Sequence, residues 1–168
     1  MHFIRDSINI SIMVNRRKQS IIWFSLSFLS LLAGGMIYVL WRPYTLKMFG
    51  WFSTIGIDNV VENFRCSLST TKVFLPKWFV YSLPQGLWCL SGYFFIHALW
   101  MNLFSLEEQI WLALILCLGI CIETFQLFGF LPGIFDFVDV VWIVLPYLFA
   151  LALFSVFQCN PSSQRGRV

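Results

Sequence analysis

Few polar side chains interrupt the long apolar stretches of this sequence, and those that do are regularly spaced. Glu123 and Gln126 are three residues apart near the end of one stretch, and Asp136 and Asp139 are three apart at the start of the next. This spacing puts both members of each pair on one face of a helix. Carboxylates and amides accept hydrogen bonds from hydroxyl or ammonium groups, so the four residues are candidates for ligand recognition.

The composition is unusually apolar, so the few polar residues within the apolar stretches are the informative ones. Of the 168 residues, 59% are apolar and 11% are charged, whereas soluble domains average roughly 45–50% and 25%. An aromatic content of 19% argues against disorder, and a net charge of +3 without a basic patch argues against nucleic-acid binding. The chain is therefore expected to lie in a membrane, where a carboxylate costs about 2.5–3.5 kcal/mol and usually faces the protein interior, pairs or carries function.

Four stretches are long and uncharged enough to form transmembrane helices, each of which needs about 20 apolar residues. They cover residues 21–41, 82–101, 110–128 and 138–157. Ser105 and Glu108 form a capping box before the third stretch, and Pro146 removes one backbone hydrogen bond from the fourth. We therefore predict an all-α, polytopic membrane protein with a basic N-terminal segment at 1–20, a four-helix transmembrane domain at 21–157 and a tail at 158–168.

Basic residues near the span ends predict the orientation, because cytoplasmic loops carry the excess of Lys and Arg. Six of them flank the first and last spans, namely Arg5, Arg16, Arg17, Lys18, Arg165 and Arg167. The loop between the first two spans carries five more, but the first helix usually dominates. The protein is therefore expected to be a multi-pass protein of the cell membrane with both termini in the cytoplasm.

The first loop is long for so small a protein, since it runs from residue 42 to residue 81. Apolar and charged residues are interleaved in it, a pattern typical of an amphipathic segment in the membrane interface, while Gly50 and Gly56 weaken any continuous helix. Two interpretations remain open: a connector that lies on the membrane, and a lid over a site on the outer face.

The predicted topology brings the polar residues to one depth. The third span runs outward in the chosen orientation, which puts Glu123 and Gln126 near its outer end. Asp136 and Asp139 begin the fourth span at the same level, and Gln85 lies at the start of the second. These five residues form the predicted ligand site, a shallow polar site at the outer leaflet.

Each of these groups also has a structural interpretation. Asp136 can cap the fourth helix, Asp139 can complement its dipole, and a neutral Glu123 can hydrogen-bond a neighbouring span. His97, near the cytoplasmic end of the second span, is expected to make an interhelical hydrogen bond. Two acidic cap residues are expected in solvent, Glu107 and Glu108.

Metal and cofactor chemistry is not predicted. The five cysteines are odd in number and include no CxxC pair, which indicates neither a disulfide framework nor a zinc site. Glu123, Asp136 and Asp139 are oxygen ligands of the kind that divalent cations use, but three acids from two spans are a weak signal.

Three short motifs follow one another late in the chain: Glu123-Thr-Phe-Gln126, the turn Pro132-Gly133, and Asp136-Phe-Val-Asp139 at the start of the last span. Together they resemble the VanZ-like family of small polytopic membrane proteins, over roughly residues 112–153. The stretch Ser82-Leu-Pro-Gln-Gly-Leu-Trp88 is similar to a second pattern of such proteins, with Gln85 in place of an aspartate. The turn has Ile134 or Phe135 where the family pattern has an arginine. The resemblance implies a cell-envelope setting and an association with resistance to a glycopeptide antibiotic, but it implies no reaction.

Three functions are consistent with these features. The first is a cell-envelope accessory protein that binds a lipid-linked or amphipathic ligand at the outer leaflet, with membrane lipids as its partners. The second is an enzyme on a lipid-linked substrate, with Glu123 or Asp139 as general base. The third is a transporter or a subunit of a larger complex, whose partner would be another membrane protein.

Overall fold

The structure is a computed structural model that describes residues 2–68, 71, 74–101 and 105–158, with side chains from residue 16 to residue 156 within these ranges. This part of the chain is all-α and contains no strand. Its helices are α1 (His2–Trp41), α2 (Lys47–Ile55), α3 (Asp58–Ser67), α4 (Lys77–Tyr81), α5 (Leu83–Trp100), α6 (Leu106–Leu127) and α7 (Phe137–Gln158). The predicted tail at 158–168 lies outside the described residues, apart from the backbone of Gln158.

Three segments are long and apolar enough to cross a membrane: Arg16–Trp41 within α1, Leu106–Leu127, and Phe137–Val156. They coincide with the first, third and fourth predicted spans and indicate a multi-pass membrane protein. The second predicted span corresponds to α5, which has 18 residues and includes Gln85 and His97. Because these polar residues lower its hydropathy, α5 does not qualify as a span by length and composition.

Local sequence signals set several helix ends. The Ser105 hydroxyl accepts a hydrogen bond from the Glu108 backbone N–H at 3.2 Å, which confirms the predicted N-terminal cap of α6. Asp136 caps α7 in the same way, since its Oδ1 accepts from the Val138 N–H at 2.9 Å. Gly56 ends α2 with φ of 80°, a conformation that glycine adopts without steric cost.

The helix α5 lies in the middle of the bundle and packs against α1, α6 and α7. Its buried aromatic residues Tyr93 and Phe94 form a core with Trp23 of α1, Leu112 of α6 and Phe154 of α7. Polar side chains on α5 are buried against the same neighbours, as in the hydrogen bond between Ser27 of α1 and the Ser91 carbonyl at 2.9 Å. Packing on three sides explains how a helix of moderate hydropathy lies at the centre, because its polar groups meet protein instead of lipid.

The helices α5 and α7 approach each other closely at Gly86. A Cβ at this position would lie 2.6 Å from the backbone oxygen of Trp142, so only glycine fits. Trp142 is four residues before Pro146, which lies inside α7 and has no N–H to donate to that oxygen. The proline therefore frees a carbonyl, and Gly86 lets the backbone of α5 cover it. Small residues allow close helix approach of this kind in membrane bundles.

The described part of the first loop contains three short helices, and no residue of the first two, α2 and α3, is fully buried. Gly50 lies inside α2 without interrupting it, whereas Gly56 separates the two helices. Arg65 of α3 attaches this segment to the end of α1, because its guanidinium donates to the Val39 carbonyl and, at 2.5 Å, to the Arg42 carbonyl. The helical segment is therefore fixed beside the end of α1 from which the loop leaves.

Candidate functional site

The structure places all five predicted site residues at one end of the bundle, which we call the Arg42 end, and brings four of them together there. Gln85 of α5 donates from Nε2 to Oε1 of Glu123 on α6 at 3.0 Å. Glu123 is only 1% exposed, and its carboxylate is close enough to Asp136 and Asp139 for their charges to act on it. Its second oxygen, Oε2, has no hydrogen-bond partner among the described residues.

Asp136 and Asp139 differ in their surroundings although they are one helical turn apart. Asp136 is exposed and serves as the N-cap of α7, which is the structural role considered above. Asp139 is half-buried, and its carboxylate lies beside the buried Ser82. Its Oδ1 is buried without a partner in the described part of the chain. Of the two aspartates, Asp139 is thus the one with a buried oxygen that could accept a further hydrogen bond.

Gln126 does not join the acids. Its amide group lies against Gly133 in the turn before α7, where a Cβ on Gly133 would be 2.7 Å from the Gln126 Cδ. Gly133 has φ of 146°, which side chains rarely tolerate. Gln126 therefore packs against the turn that precedes Asp136, and this contact indicates that it stabilises the turn.

A cavity of about 620 Å³ opens beside the two aspartates. It is lined by two basic side chains, Arg42 and Lys77, and by two acidic ones, Asp136 and Asp139, with aromatic walls from Trp78, Tyr81 and Phe135. The lining comes from the end of α1, from α4, from the start of α5 and from the start of α7. A cavity with both signs of charge and aromatic walls can orient a polar group while excluding water from one side.

Arg42 is the site residue that sequence reasoning missed. Its Nη2 donates to the Tyr81 carbonyl at 2.9 Å, and its guanidinium lies over the rings of Tyr81 and Tyr38 at 4.6 and 5.1 Å. These contacts hold the positive charge near Asp139, on which it acts electrostatically, while its Nε is buried without a partner among the described residues. The sequence did contain a signal for Arg42. This residue directly follows the first predicted span and therefore lies at the depth where the second and fourth predicted spans begin.

A second polar pair lies at the opposite end of α5, which we call the His97 end. His97 Nδ1 and Glu108 Oε1 are 2.5 Å apart, and both side chains are buried. The predicted interhelical hydrogen bond of His97 is confirmed. The expectation that Glu108 lies in solvent is wrong, because its side chain is 0% exposed and turns towards α5; Glu107 is exposed as predicted.

The ring of His97 also contacts the two remaining long helices, α1 and α7. It stacks on Phe154 of α7 at 3.8 Å and meets the edge of Trp23 of α1 at 5.1 Å. Residues of all four long helices therefore meet at this point. The burial and the aromatic packing indicate a structural role for the His97 end.

Comparison with known proteins does not assign this chain to a family. No protein-family model, no curated protein and no solved structure matches this chain. Within the described residues, no group of three or more His, Cys, Asp or Glu side chains is arranged to hold a metal ion. The inferences that follow therefore depend on the geometry of the chain itself.

Proposed function

We propose that the protein is a four-span membrane protein with both termini in the cytoplasm, and that α5 is the second span. The cavity is lined both by Arg42 at the end of α1 and by Asp136 at the start of α7, which supports this topology. Since α6 leads directly into α7, it begins at the other end of the bundle. The chain must therefore cross between residues 42 and 106, and the 18 residues of α5 reach about 27 Å at 1.5 Å per residue, close to the hydrocarbon thickness.

Labelling of single cysteines tests this topology. In a cysteine-free background, we expect a membrane-impermeant maleimide to label Ser53→Cys and Ile134→Cys from outside intact cells, and to label Glu107→Cys only after permeabilisation. All three positions are exposed. If α5 did not cross, positions 53 and 134 would lie on opposite sides of the membrane. Labelling of only one of these two from outside would contradict the four-span proposal.

The proposed activity is the binding of a lipid-linked or amphipathic ligand through its polar head at the outer leaflet. The observation that carries it is the 620 Å³ cavity at the Arg42 end, whose lining combines basic, acidic and aromatic side chains. Buried polar atoms are normally hydrogen-bonded, and Arg42 Nε and Asp139 Oδ1 have no partner among the described residues. A bound head group would supply both partners.

The resemblance to VanZ-like proteins is part of this proposal. Its motif residues Glu123, Asp136 and Asp139 are neighbours in the structure, and Arg42 brings an arginine towards Asp139 from another helix, although the turn itself has none. We therefore place the protein in the cell envelope as an accessory protein, with a role in envelope function or antibiotic resistance.

Neutral variants at the cavity test ligand binding. We expect Arg42→Gln and Asp139→Asn each to retain about tenfold less phospholipid than the wild type, because a charge-assisted hydrogen bond contributes about 1.5–3 kcal/mol. The measurement is native mass spectrometry of delipidated protein titrated with a total phospholipid extract. Arg17→Gln and Glu107→Gln are matched controls, since both residues are exposed and do not line the cavity. Equal retention by folded cavity variants and controls would contradict the proposal.

A catalytic function is the second candidate. Glu123 is buried with one carboxylate oxygen fixed by Gln85 and the other without a partner among the described residues, an arrangement suited to a general base. Chemical conversion of a lipid incubated with the protein, and its loss in Glu123→Gln, would favour this function over binding alone.

A further inference from the structure

A second cavity lies between α5 and α7, on the side of the bundle. Its volume is about 310 Å³, and its walls are apolar, formed by residues such as Leu83, Leu87, Leu90, Trp142, Leu145 and Phe149. We call it the α5–α7 groove. Leu145 and Phe149 are half exposed, so the groove opens sideways towards the surface that faces lipid in the proposed topology.

The residues that line the groove follow those that line the polar cavity along both α5 and α7. Ser82 lines the polar cavity and the next residue, Leu83, lines the groove. Trp78 of the polar cavity stacks on Trp142 of the groove, with ring centroids 5.3 Å apart and planes 13° from parallel. The two ring systems thus form a shared wall between a charged compartment and an apolar one.

The charges of the polar compartment select among head groups. An anionic head would be attracted by Arg42 and Lys77 but repelled by the two aspartates. A cationic head would be attracted by the aspartates but repelled by the two basic residues. A head that carries both charges satisfies both sides. The same argument disfavours a neutral head, which would offer no charged partner to either pair.

We propose that the ligand is a zwitterionic amphiphile whose anionic group binds at Arg42 and Lys77, whose ammonium group binds at Asp136 and Asp139, and whose hydrocarbon chain lies in the α5–α7 groove. This inference rests on the proposed function, because it names the ligand of the same cavity. It adds a charge preference and a place for the chain, each of which is testable separately.

Three lipids with the same acyl chains test the charge preference. We expect dioleoyl phosphatidylethanolamine to bind about tenfold more tightly than dioleoyl phosphatidylglycerol or dioleoyl trimethylammonium propane, since each of the latter loses one charge-assisted contact. Arg42→Gln should shift the preference towards the cationic lipid, and Asp139→Asn towards the anionic one. Native mass spectrometry of the delipidated protein gives the three affinities.

Two tryptophan variants of α7 test the chain position. Leu145 lines the groove and is 50% exposed, while Leu148, three residues further on, is 54% exposed and does not line it. We expect Leu145→Trp to weaken binding of lysophosphatidylethanolamine about tenfold by filling the groove, and Leu148→Trp to leave it unchanged. Neither variant should alter binding of glycerophosphoethanolamine, which is the head group without a chain.

The outcomes separate this inference from the proposed function. Equal binding of the three lipids, still lowered in Arg42→Gln and Asp139→Asn, would overturn the charge preference and leave the head-group site intact. Equal effects of Leu145→Trp and Leu148→Trp would overturn the chain position. Absence of binding for every lipid in folded protein would overturn both the inference and the proposed function.

Discussion

Replacing Glu108 with alanine is expected to lower the free energy of unfolding by about 3–5 kcal/mol, the cost of removing one partner from a buried pair. The carboxylate of Glu108 lies 2.5 Å from His97 Nδ1, and both side chains are buried. Without the carboxylate, the imidazole would remain between Phe154 and Trp23 without the partner that Nδ1 has in the wild type. The loss of packing would extend beyond α6, because His97 contacts α1 and α7 as well.

The matched control for this prediction is Glu107→Ala, one residue earlier on α6, where the side chain is exposed. Reversible unfolding in mixed micelles, followed by tryptophan fluorescence, measures the difference between the two variants. The double variant His97→Phe with Glu108→Leu should recover most of the loss, since apolar residues of similar volume can replace a buried pair and keep the stacking on Phe154. Equal stability of Glu108→Ala and Glu107→Ala would show that the pair contributes little.

Replacing Gly86 with valine is expected to separate α5 from α7 and to lower the free energy of unfolding by about 1–3 kcal/mol. The new Cβ would lie 2.6 Å from the Trp142 carbonyl oxygen. A backbone atom cannot move aside as a flexible side chain can. Separation would also expose the carbonyl that Pro146 leaves without an intrahelical donor, which is costly in a membrane.

The control is Gly35→Val on α1, where a Cβ would meet nothing within 4 Å. Both variants place the same β-branched side chain in a long helix, so their difference isolates the contact between α5 and α7. A disulfide between cysteines introduced at positions 87 and 145, which both line the groove, should form more slowly in Gly86→Val than in Gly35→Val. Equal rates and equal stabilities would contradict the close approach at Gly86.

The sequence predicted those features that depend on neighbouring residues. Ser105 caps α6 as predicted, and Asp136 caps α7, which was one of its two interpretations, because such signals act within one helical turn. Of the two glycines expected to weaken a helix in the first loop, Gly56 ends α2 but Gly50 lies inside it. The three most apolar spans were also predictable, since length and hydropathy decide them. The helix α5 was harder to assess, because polar side chains that count against a span are compatible with burial among other helices.

The parts that sequence reasoning missed depend on contacts between distant residues. Arg42 was assigned to a loop, yet its guanidinium lines the cavity with Asp139, far along the chain. Glu108 matched a solvent-exposed capping motif, but its side chain lies against His97 of α5. Gln126 shares a helix face with Glu123, but its amide group packs against Gly133 in the turn after α6. Spacing fixes which face a residue occupies, but not what approaches that face.

The pairing of His97 with Glu108 has a consequence for biogenesis in the proposed four-span topology. The two residues are eleven positions apart, one near the end of α5 and the other in the first turn of α6. When α5 leaves the ribosome, its histidine has no carboxylate to meet until the first turn of α6 has been synthesised. We therefore expect the insertion machinery to release α5 and α6 into the bilayer together, as a helical hairpin whose polar groups are already joined.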